Sequence, residues 1–185
     1  PKNTLKLFSH YMPENFESDL PLINQKIDWL GINYYTRSII KADISERDTG
    51  FSKIAGDLPK TDMGWEVFPQ GLTKILNRQV KSYSKTTPIH ITENGMAGHD
   101  TLVSKTGIIN DQDRIKYYQL HLKELKTLID NQIPINSYFA WSLLDNFEWA
   151  FGYNKTFGLV SVDYDTQTRT PKYSYYAFQS ALTSF

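Results

Sequence analysis

The sequence predicts an α/β fold in which short parallel strands alternate with amphipathic helices. Three runs of β-branched and aromatic residues are separated by stretches whose apolar positions have helical spacing. Strands that alternate with crossover helices are typical of parallel βαβ units. The chain has 185 residues, enough for one domain with a sizeable core, and no internal repeat or low-complexity linker divides it. We therefore expect residues 1–185 to belong to a single domain, without a separate second domain.

The first strand is predicted at 26–35, where "KIDWLGINYY" has the composition of a buried strand. The segment 36–64 is long and rich in Gly, Asp, Ser and Lys, which predicts a loop. A helix is predicted at 70–83. Its apolar stripe comprises Leu72, Ile75, Leu76, Val80 and Tyr83.

The second strand is predicted at 88–92, and the turn dipeptide Asn94-Gly95 follows it closely. The clearest helix is predicted at 110–132, with Asn110 as its N-cap. We expect its buried stripe to comprise Ile115, Tyr118, Leu122, Leu125 and Ile129. The sequence "PINSYFAWSLL" predicts a third strand at 134–144, and "KYSYYAFQSAL" predicts a last helix at 172–182.

Composition narrows the range of partners. Lysine plus arginine and aspartate plus glutamate number 20 each, so the charge balance indicates neither nucleic acid nor a membrane surface as a partner. The sequence contains no cysteine, which excludes disulfides and thiol chemistry. Its four histidines have no metal-ligand spacing, and we predict no metal and no cofactor.

Polar and aromatic residues gather where the predicted strands end. The first strand ends in Asn33 and Tyr35, the second in Glu93, and the third near Trp141. Because the carboxyl ends of parallel strands build the sites of α/β folds, we expect these side chains to share one rim with Glu148 of "SLLDNFEW". Such a set suits a polyol held over an aromatic floor beside a carboxylate. On spacing alone, a solvated or paired glutamate is the commoner alternative.

Period-two alternation also predicts which side chains share a face of each strand. It places Tyr34 opposite Asn33 and Tyr35 in the first strand. In the second strand it places Glu93 on the face of Ile89 and Ile91. His90 would then point the opposite way, between the sheet and the helices.

Five segments together resemble one family. They are "IDWLGINYYT", "GWEVFPQGL", "ITENG", "YFAWSLLDNFEWAFGY" and "FGLVSVDYDTQTRTPKYS". In this order they are similar to the carboxyl-terminal part of family 1 glycoside hydrolases of the β-glucosidase type. The resemblance covers nearly the whole chain from about Leu22 onward. It implies a (β/α)8 TIM barrel, of which this chain would carry strands six to eight and would be incomplete.

The resemblance also implies residue roles in a retaining β-glucosidase, which hydrolyses terminal β-D-glucosides or galactosides by double displacement. Glu93 would be the catalytic nucleophile, hydrogen-bonded by Tyr35 with Asn33 beside it. Trp141 would form the floor under the reacting sugar. Glu148 and Trp149 would bind the hydroxyls of that sugar, a β-glucoside or oligosaccharide.

Two parts of the family pattern are missing. The acid/base glutamate of the family lies in an Asn-Glu-Pro motif on strand four, and this tripeptide does not occur in the sequence. The matched motifs belong to strands six to eight of the family, so we expect the amino-terminal half of the barrel to lie elsewhere, as a missing partner. The first residue is Pro1 rather than methionine, which agrees with a missing start of the gene product. Any signal peptide would lie there too. The sequence therefore leaves the compartment open, with the cytoplasm favoured, and we expect the chain alone to be inactive.

Three alternatives remain open. One is a 6-phospho-β-glycosidase of the same family, whose members typically carry serine at the position of Glu148 and tyrosine at that of Phe157. Another is a sugar-binding or structural fragment without catalysis. The third is a stand-alone scaffold made by design, truncation or gene splitting.

Overall fold

A computed structural model describes residues 5–6, 8–46, 49–102 and 107–183. In chain order, the helices are α1 (Phe16–Ile23), α2 (Gln70–Ser82), α3 (Gln112–Asp130) and α4 (Tyr173–Leu182). The strands are β1 (Leu30–Asn33), β2 (Ile39–Ala42), β3 (Phe51–Ile54), β4 (Ile89–Asn94), β5 (Thr101–Leu102), β6 (Ile109–Asn110), β7 (Ile135–Ala140), β8 (Val160–Val162) and β9 (Arg169–Pro171). Two short 3₁₀ helices occupy Ser9–Tyr11 and Trp149–Phe151.

The three predicted strands form one parallel sheet. Its order is β1-β4-β7, so β4 is the central strand and carries Glu93. Helices α2 and α3 cover one face of this sheet, as the βαβ pattern predicts. The core on that face consists of Tyr34, Leu72, Leu76, Ile89, Ile91, Leu125 and Leu128. Burying each of the aliphatic side chains contributes about 1.5–3 kcal/mol.

The buried stripe of α3 differs from the predicted one. Leu128 is buried, whereas the predicted Ile129 is 47% exposed. Tyr118 and Leu125 are buried as predicted, but the buried face also includes Tyr117 and His121, which were not predicted. Because apolar residues occur on several sides of this helix, its own sequence does not select the face. In α2, likewise, Ile75 is exposed while Leu72 and Leu76 are buried, and Tyr83, which follows the last residue of the helix, is exposed.

The N-cap prediction for α3 is also wrong. Asn110 lies in β6, and Asp111 is the residue before the helix. The Asp111 carboxylate makes no capping hydrogen bond to the helix but accepts one from the backbone N–H of Ser174 at 2.9 Å. Tertiary contacts therefore occupy the side chain that would otherwise cap.

Several elements were not predicted. The expected loop 36–64 contains the antiparallel hairpin β2–β3, although residues 47–48 of that segment lie outside the described residues. A second hairpin, β8–β9, precedes α4, and α1 precedes the sheet. The first and third predicted strands are shorter than expected, because the first spans only Leu30–Asn33 and the third ends at Ala140, whereas the second continues to Asn94.

A buried ion network joins the segments that follow the strands. Arg114 and Lys172 are both fully buried. Arg114 pairs with Asp111 and, at 3.0 Å, with Asp100, while Lys172 pairs with Asp100 at 2.6 Å and with Asp145 at 2.9 Å. Buried charges require such partners. The network therefore ties α3 and α4 to the segments that follow β4 and β7.

The two outer strands of the sheet each have one pairing partner within the described residues. Phe139 of β7 lies near one of these edges and is 55% exposed. A cavity of about 450 Å³ opens between β7 and α4, lined in part by Phe139, Leu143 and Leu182. Among the described residues, no helix combines the length and apolarity that crossing a membrane requires.

Candidate active site

Glu93 lies at the carboxyl end of β4, where strand pairing is irregular. The register of β4 against β7 shifts between Ile91 and Asn94, and the register against β1 shifts just before Glu93. Asn94 is fully buried on the helix-covered side, as Ile91 is, whereas Glu93 is half-buried. The prediction that Glu93 shares the face of Ile89 and Ile91 is therefore wrong. A bulge re-aims a side chain, and strict alternation does not anticipate it.

His90 also lies on a different side of the sheet from the one predicted. It alternates with Ile89 and Ile91, but those two side chains pack against the helices. The His90 ring lies 4.9 Å from the ring of Trp29, and its Nδ1 lies 2.7 Å from the Ser137 hydroxyl. The helices bury more apolar area, so the isoleucines face them and the histidine faces away.

Tyr35 and Glu93 are in direct contact. The Tyr35 hydroxyl donates a hydrogen bond to Oε2 of Glu93 at 2.5 Å. Burial, this hydrogen bond, and the charges of Glu93 and Glu148 raise the pKa of the Tyr35 phenol far above its ordinary value. Tyr35 therefore stays protonated and remains a donor to the carboxylate across the neutral pH range.

Asn33 lies beside Glu93 in the ladder between β1 and β4, as its Cα partner. Its side-chain Oδ1 accepts a hydrogen bond from the Thr92 hydroxyl at 2.6 Å. The Asn33 side chain is exposed, whereas Tyr34 is buried in the core. The predicted separation of these two faces is thus confirmed, and Asn33 lies on the same rim as Glu93.

Glu148 approaches the same carboxylate from the segment after β7. Its pKa is raised by burial and, in smaller part, by the negative charge of Glu93. The backbone N–H of Glu148 donates to the Gly152 carbonyl at 2.7 Å, which closes a tight turn. The two carboxylates are therefore close enough for their charges to interact, an arrangement that favours a ligand with several hydroxyl donors.

The two tryptophans differ in how they are placed. Trp141 is half-buried at the end of β7, and its backbone N–H donates to the Asn94 carbonyl oxygen at 2.8 Å. Trp149 is 82% exposed at the start of a 3₁₀ helix. Trp141 is thus fixed to the strand that carries Glu93, while Trp149 is held less closely.

The contacts of Tyr35 with Trp65 and Phe157 were not predicted from the sequence. The ring of Tyr35 lies 5.6 Å from that of Trp65 and 6.2 Å from that of Phe157, both with edge-to-face geometry. These contacts hold the phenol in the orientation that reaches Glu93. The motif "GWEVFPQGL" contains Trp65 and could have indicated it, but its pairing with Tyr35 is a tertiary contact.

The arrangement offers one carboxylate held by a phenol, a second carboxylate nearby, and aromatic surfaces at the rim. Among the residues that the structure describes, no cluster of His, Cys, Asp or Glu has the geometry of a metal site. The groups that the rim offers are carboxylates, hydroxyls and aromatic rings. They suit binding of a polyol and attack by a carboxylate on a carbon of that polyol.

Comparisons with known proteins agree on one family. The sequence profile of glycosyl hydrolase family 1 matches residues 1–184. β-Glucosidase A of Thermotoga maritima is 43% identical over 182 residues, which are 98% of this chain and 40% of the relative. A 6-phospho-β-galactosidase of Clostridium acetobutylicum is 34% identical over 206 residues, covering 97% of this chain and 43% of the relative.

Solved structures give the same result. The β-glucosidase of Thermotoga maritima in complex with castanospermine superposes with a TM-score of 0.92 at 41% identity. The match covers 99% of this chain and 40% of that structure. The likeness confirms the predicted fold class, a partial (β/α)8 barrel. The chain spans about 40% of the length of these β-glucosidases.

Proposed function

The chain belongs to glycosyl hydrolase family 1, and we propose that it supplies the nucleophile side of a retaining β-glucosidase site. The observation that carries this proposal is the hydrogen bond from Tyr35 to Glu93 at the carboxyl end of a central parallel strand. A carboxylate in this position can attack a sugar carbon and form a covalent glycosyl-enzyme intermediate.

We assign the residues of the rim as follows. Glu93 is the nucleophile, and Tyr35 holds its carboxylate in place. Trp141 lies under the sugar ring, while Asn33, Glu148 and Trp149 contact its hydroxyls. Charged acceptors such as Glu148 make stronger hydrogen bonds than neutral ones, which favours an unmodified hydroxyl at that position.

The reaction needs a second carboxyl group as general acid, about 5–5.5 Å from the nucleophile. The relatives extend beyond the region that matches this chain. In this proposal the general acid comes from that additional part of the barrel. The same part would pair with the outer edges of β1 and β7 and fill the cavity beside Phe139. Residues 1–185 are then the carboxyl-terminal part of one barrel domain.

A 6-phospho-β-glycosidase is the second candidate, because the relative from Clostridium acetobutylicum is a 6-phospho-β-galactosidase. The carboxylate of Glu148 weighs against it. A sugar phosphate bound beside Glu148 would bring two negative charges together in a partly buried site, and like charges in contact disfavour binding. We therefore favour an unphosphorylated glycoside.

The test joins this chain to the unmatched part of Thermotoga maritima β-glucosidase A and treats the product with a 2-deoxy-2-fluoro glucoside inactivator. We expect mass spectrometry of a proteolytic digest to find the label on Glu93. Glu93→Gln should abolish labelling and nearly all turnover while sugar binding persists. Glu124→Gln is the control, because Glu124 pairs with Thr73 between two helices. Label on another carboxylate would overturn the assignment.

A further inference from the structure

Asn94 follows Glu93 directly and is completely buried. Its side-chain Nδ2 donates to the Tyr34 carbonyl oxygen at 2.6 Å and to the Tyr117 hydroxyl at 3.0 Å. Its Oδ1 accepts from the Tyr138 hydroxyl at 2.7 Å. One side chain thus connects the end of β1 with β7 and helix α3 through three of the four hydrogen bonds that an amide can make.

The Tyr117 hydroxyl links Asn94 to Tyr35, the residue that hydrogen-bonds Glu93. Besides accepting from Asn94, it donates to the backbone carbonyl oxygen of Tyr35 at 3.0 Å. Burial holds the pKa of Tyr117 well above its ordinary value, so the hydroxyl keeps its proton. Tyr117 therefore fixes the peptide of the residue whose phenol reaches Glu93.

Backbone hydrogen bonds complete the arrangement. The Tyr34 N–H donates to the Glu93 carbonyl oxygen at 2.9 Å, and the Trp141 N–H donates to the Asn94 carbonyl oxygen at 2.8 Å. These bonds lie at the bulge that turns Glu93 away from the face of Ile91. The backbone on both sides of the bulge is therefore hydrogen-bonded to neighbouring strands, and the Asn94 side chain is hydrogen-bonded to groups within the core.

We propose that the buried cluster of Asn94, Tyr117 and Tyr138 is the positioning device that maintains the bulge and sets the contact between Tyr35 and Glu93. The role rests on the proposed function of Glu93, since these three residues act through it and touch no substrate themselves. A buried polar group that loses its partners costs free energy. Loss of the cluster would therefore let β4 return toward regular alternation, in which Asn94 leaves the core and Glu93 leaves Tyr35.

The test compares two tyrosines that each lose one hydroxyl from a buried ring. Tyr117→Phe removes the link between Asn94 and the Tyr35 carbonyl. Tyr34→Phe is the matched control, because the Tyr34 hydroxyl donates to the Phe68 carbonyl oxygen in a separate segment and its ring is equally buried. Both variants should lower the melting temperature to a similar degree, so stability alone does not distinguish them.

The first readout is amide hydrogen exchange in the 185-residue chain, which does not depend on any activity. We expect the amides of Tyr34 and Trp141 to exchange roughly tenfold faster in Tyr117→Phe than in Tyr34→Phe, because a buried hydrogen bond at the bulge is lost. Equal exchange in the two variants, or no protection of these amides in the unsubstituted chain, would overturn the proposal.

The second readout uses the joined protein described above. Tyr117→Phe and Tyr138→Phe should slow covalent inactivation by the fluoro-glucoside about 10- to 100-fold, as expected for a misplaced nucleophile. The dissociation constant for castanospermine should change less than about threefold, because both substitutions displace Glu93 but leave the other rim side chains, Trp141, Glu148 and Trp149, in place. Equal losses in binding and inactivation would contradict a positioning role. If exchange changes as expected but Glu93 is never labelled, the cluster stands and the proposed function fails.

Discussion

Gly95 and Trp141 approach each other so closely that no side chain fits between them. A Cβ atom built on Gly95 would lie 1.8 Å from the backbone carbonyl oxygen of Trp141 and 3.0 Å from the Tyr118 hydroxyl. This contact joins the segment after Glu93 to the residue that we place under the sugar. The glycine in "ENG" is thus required by the packing of two strand ends.

Gly95→Ala should therefore separate the ends of β4 and β7. The neighbour that must move is backbone, so we expect a loss of about 1–3 kcal/mol in the free energy of unfolding, as for an overpacked core. Urea denaturation measures this loss. The control is Ser180→Ala on the exposed surface of α4, which should change stability little. Gly50→Ala would not serve, because Gly50 has a positive φ of 71°, where any side chain is strained. A Gly95→Ala chain as stable as the parent would refute the packing argument.

Tyr35→Phe should slow the first chemical step. The substitution removes a 2.5 Å hydrogen bond to Glu93 while retaining the ring contacts with Trp65 and Phe157. A hydrogen bond to a charged group contributes about 1.5–3 kcal/mol, so kcat/KM in the joined protein should fall about 10- to 100-fold. Steady-state kinetics with an aryl β-glucoside measures the effect, and Tyr176→Phe on exposed α4 is the control. Unchanged kinetics would show that the contact does not serve catalysis.

Glu148 should select against phosphorylated sugars. We expect the joined protein to prefer an aryl β-glucoside over its 6-phosphate by about tenfold or more in kcat/KM, because the phosphate would meet a partly buried carboxylate. Glu148→Ser should narrow this preference, while Glu148→Gln removes the charge at nearly constant volume. A parent protein that favours the 6-phosphate would defeat the prediction and support the phospho-glycosidase alternative.

The 185-residue chain alone should not hydrolyse glycosides. Within the described residues its sheet has three strands and two open edges, and open edges favour association with another chain. The loss of general-acid assistance by itself would lower the rate about 10²–10⁴-fold. An aryl β-glucoside assay beside light scattering checks both points. Rapid turnover by a monomer would contradict the prediction and would point to another carboxylate, Glu148 being nearest, as the acid.

Stability should fall in mild acid because of His121. This side chain is fully buried against Tyr117, and burial lowers its pKa from 6.5 to about 4. Between these values the unfolded chain binds a proton that the folded chain does not. The stability is therefore complete above pH 6.5 and declines as the pH falls to 4, by up to about 3 kcal/mol.

His121→Phe should flatten that pH dependence, since phenylalanine packs against Tyr117 but cannot bind a proton. Thermal unfolding of the parent and the variant at pH 7.5 and pH 4.5 makes the comparison. His10→Gln serves as the control because His10 is exposed. If the parent and His121→Phe lose equal stability between these pH values, other groups dominate the acid response.

The sequence indicates which residues form the candidate site, but it does not indicate the bulge that orients Glu93. The motifs indicated Glu93, Tyr35, Trp141 and Glu148, and the structure brings the two carboxylates and the phenol together. The bulge could not be predicted, because it depends on how Asn94 is held by Tyr34, Tyr117 and Tyr138 from other elements. Period-two alternation describes an isolated strand, and it fails where neighbouring elements compete for a side chain.

The three parallel strands, the main helices and the family are predictable from the sequence, because periodic apolar positions and ordered motifs are local properties. The tertiary structure, in contrast, sets which face of β4 meets the helices and which side of α3 is buried. It also sets the burial of Arg114 and Lys172, whose charges are neutralised by Asp100 and Asp145 from distant segments. A buried charge is tolerated only when its partner is in place, and partners far apart in sequence meet only once the chain has folded.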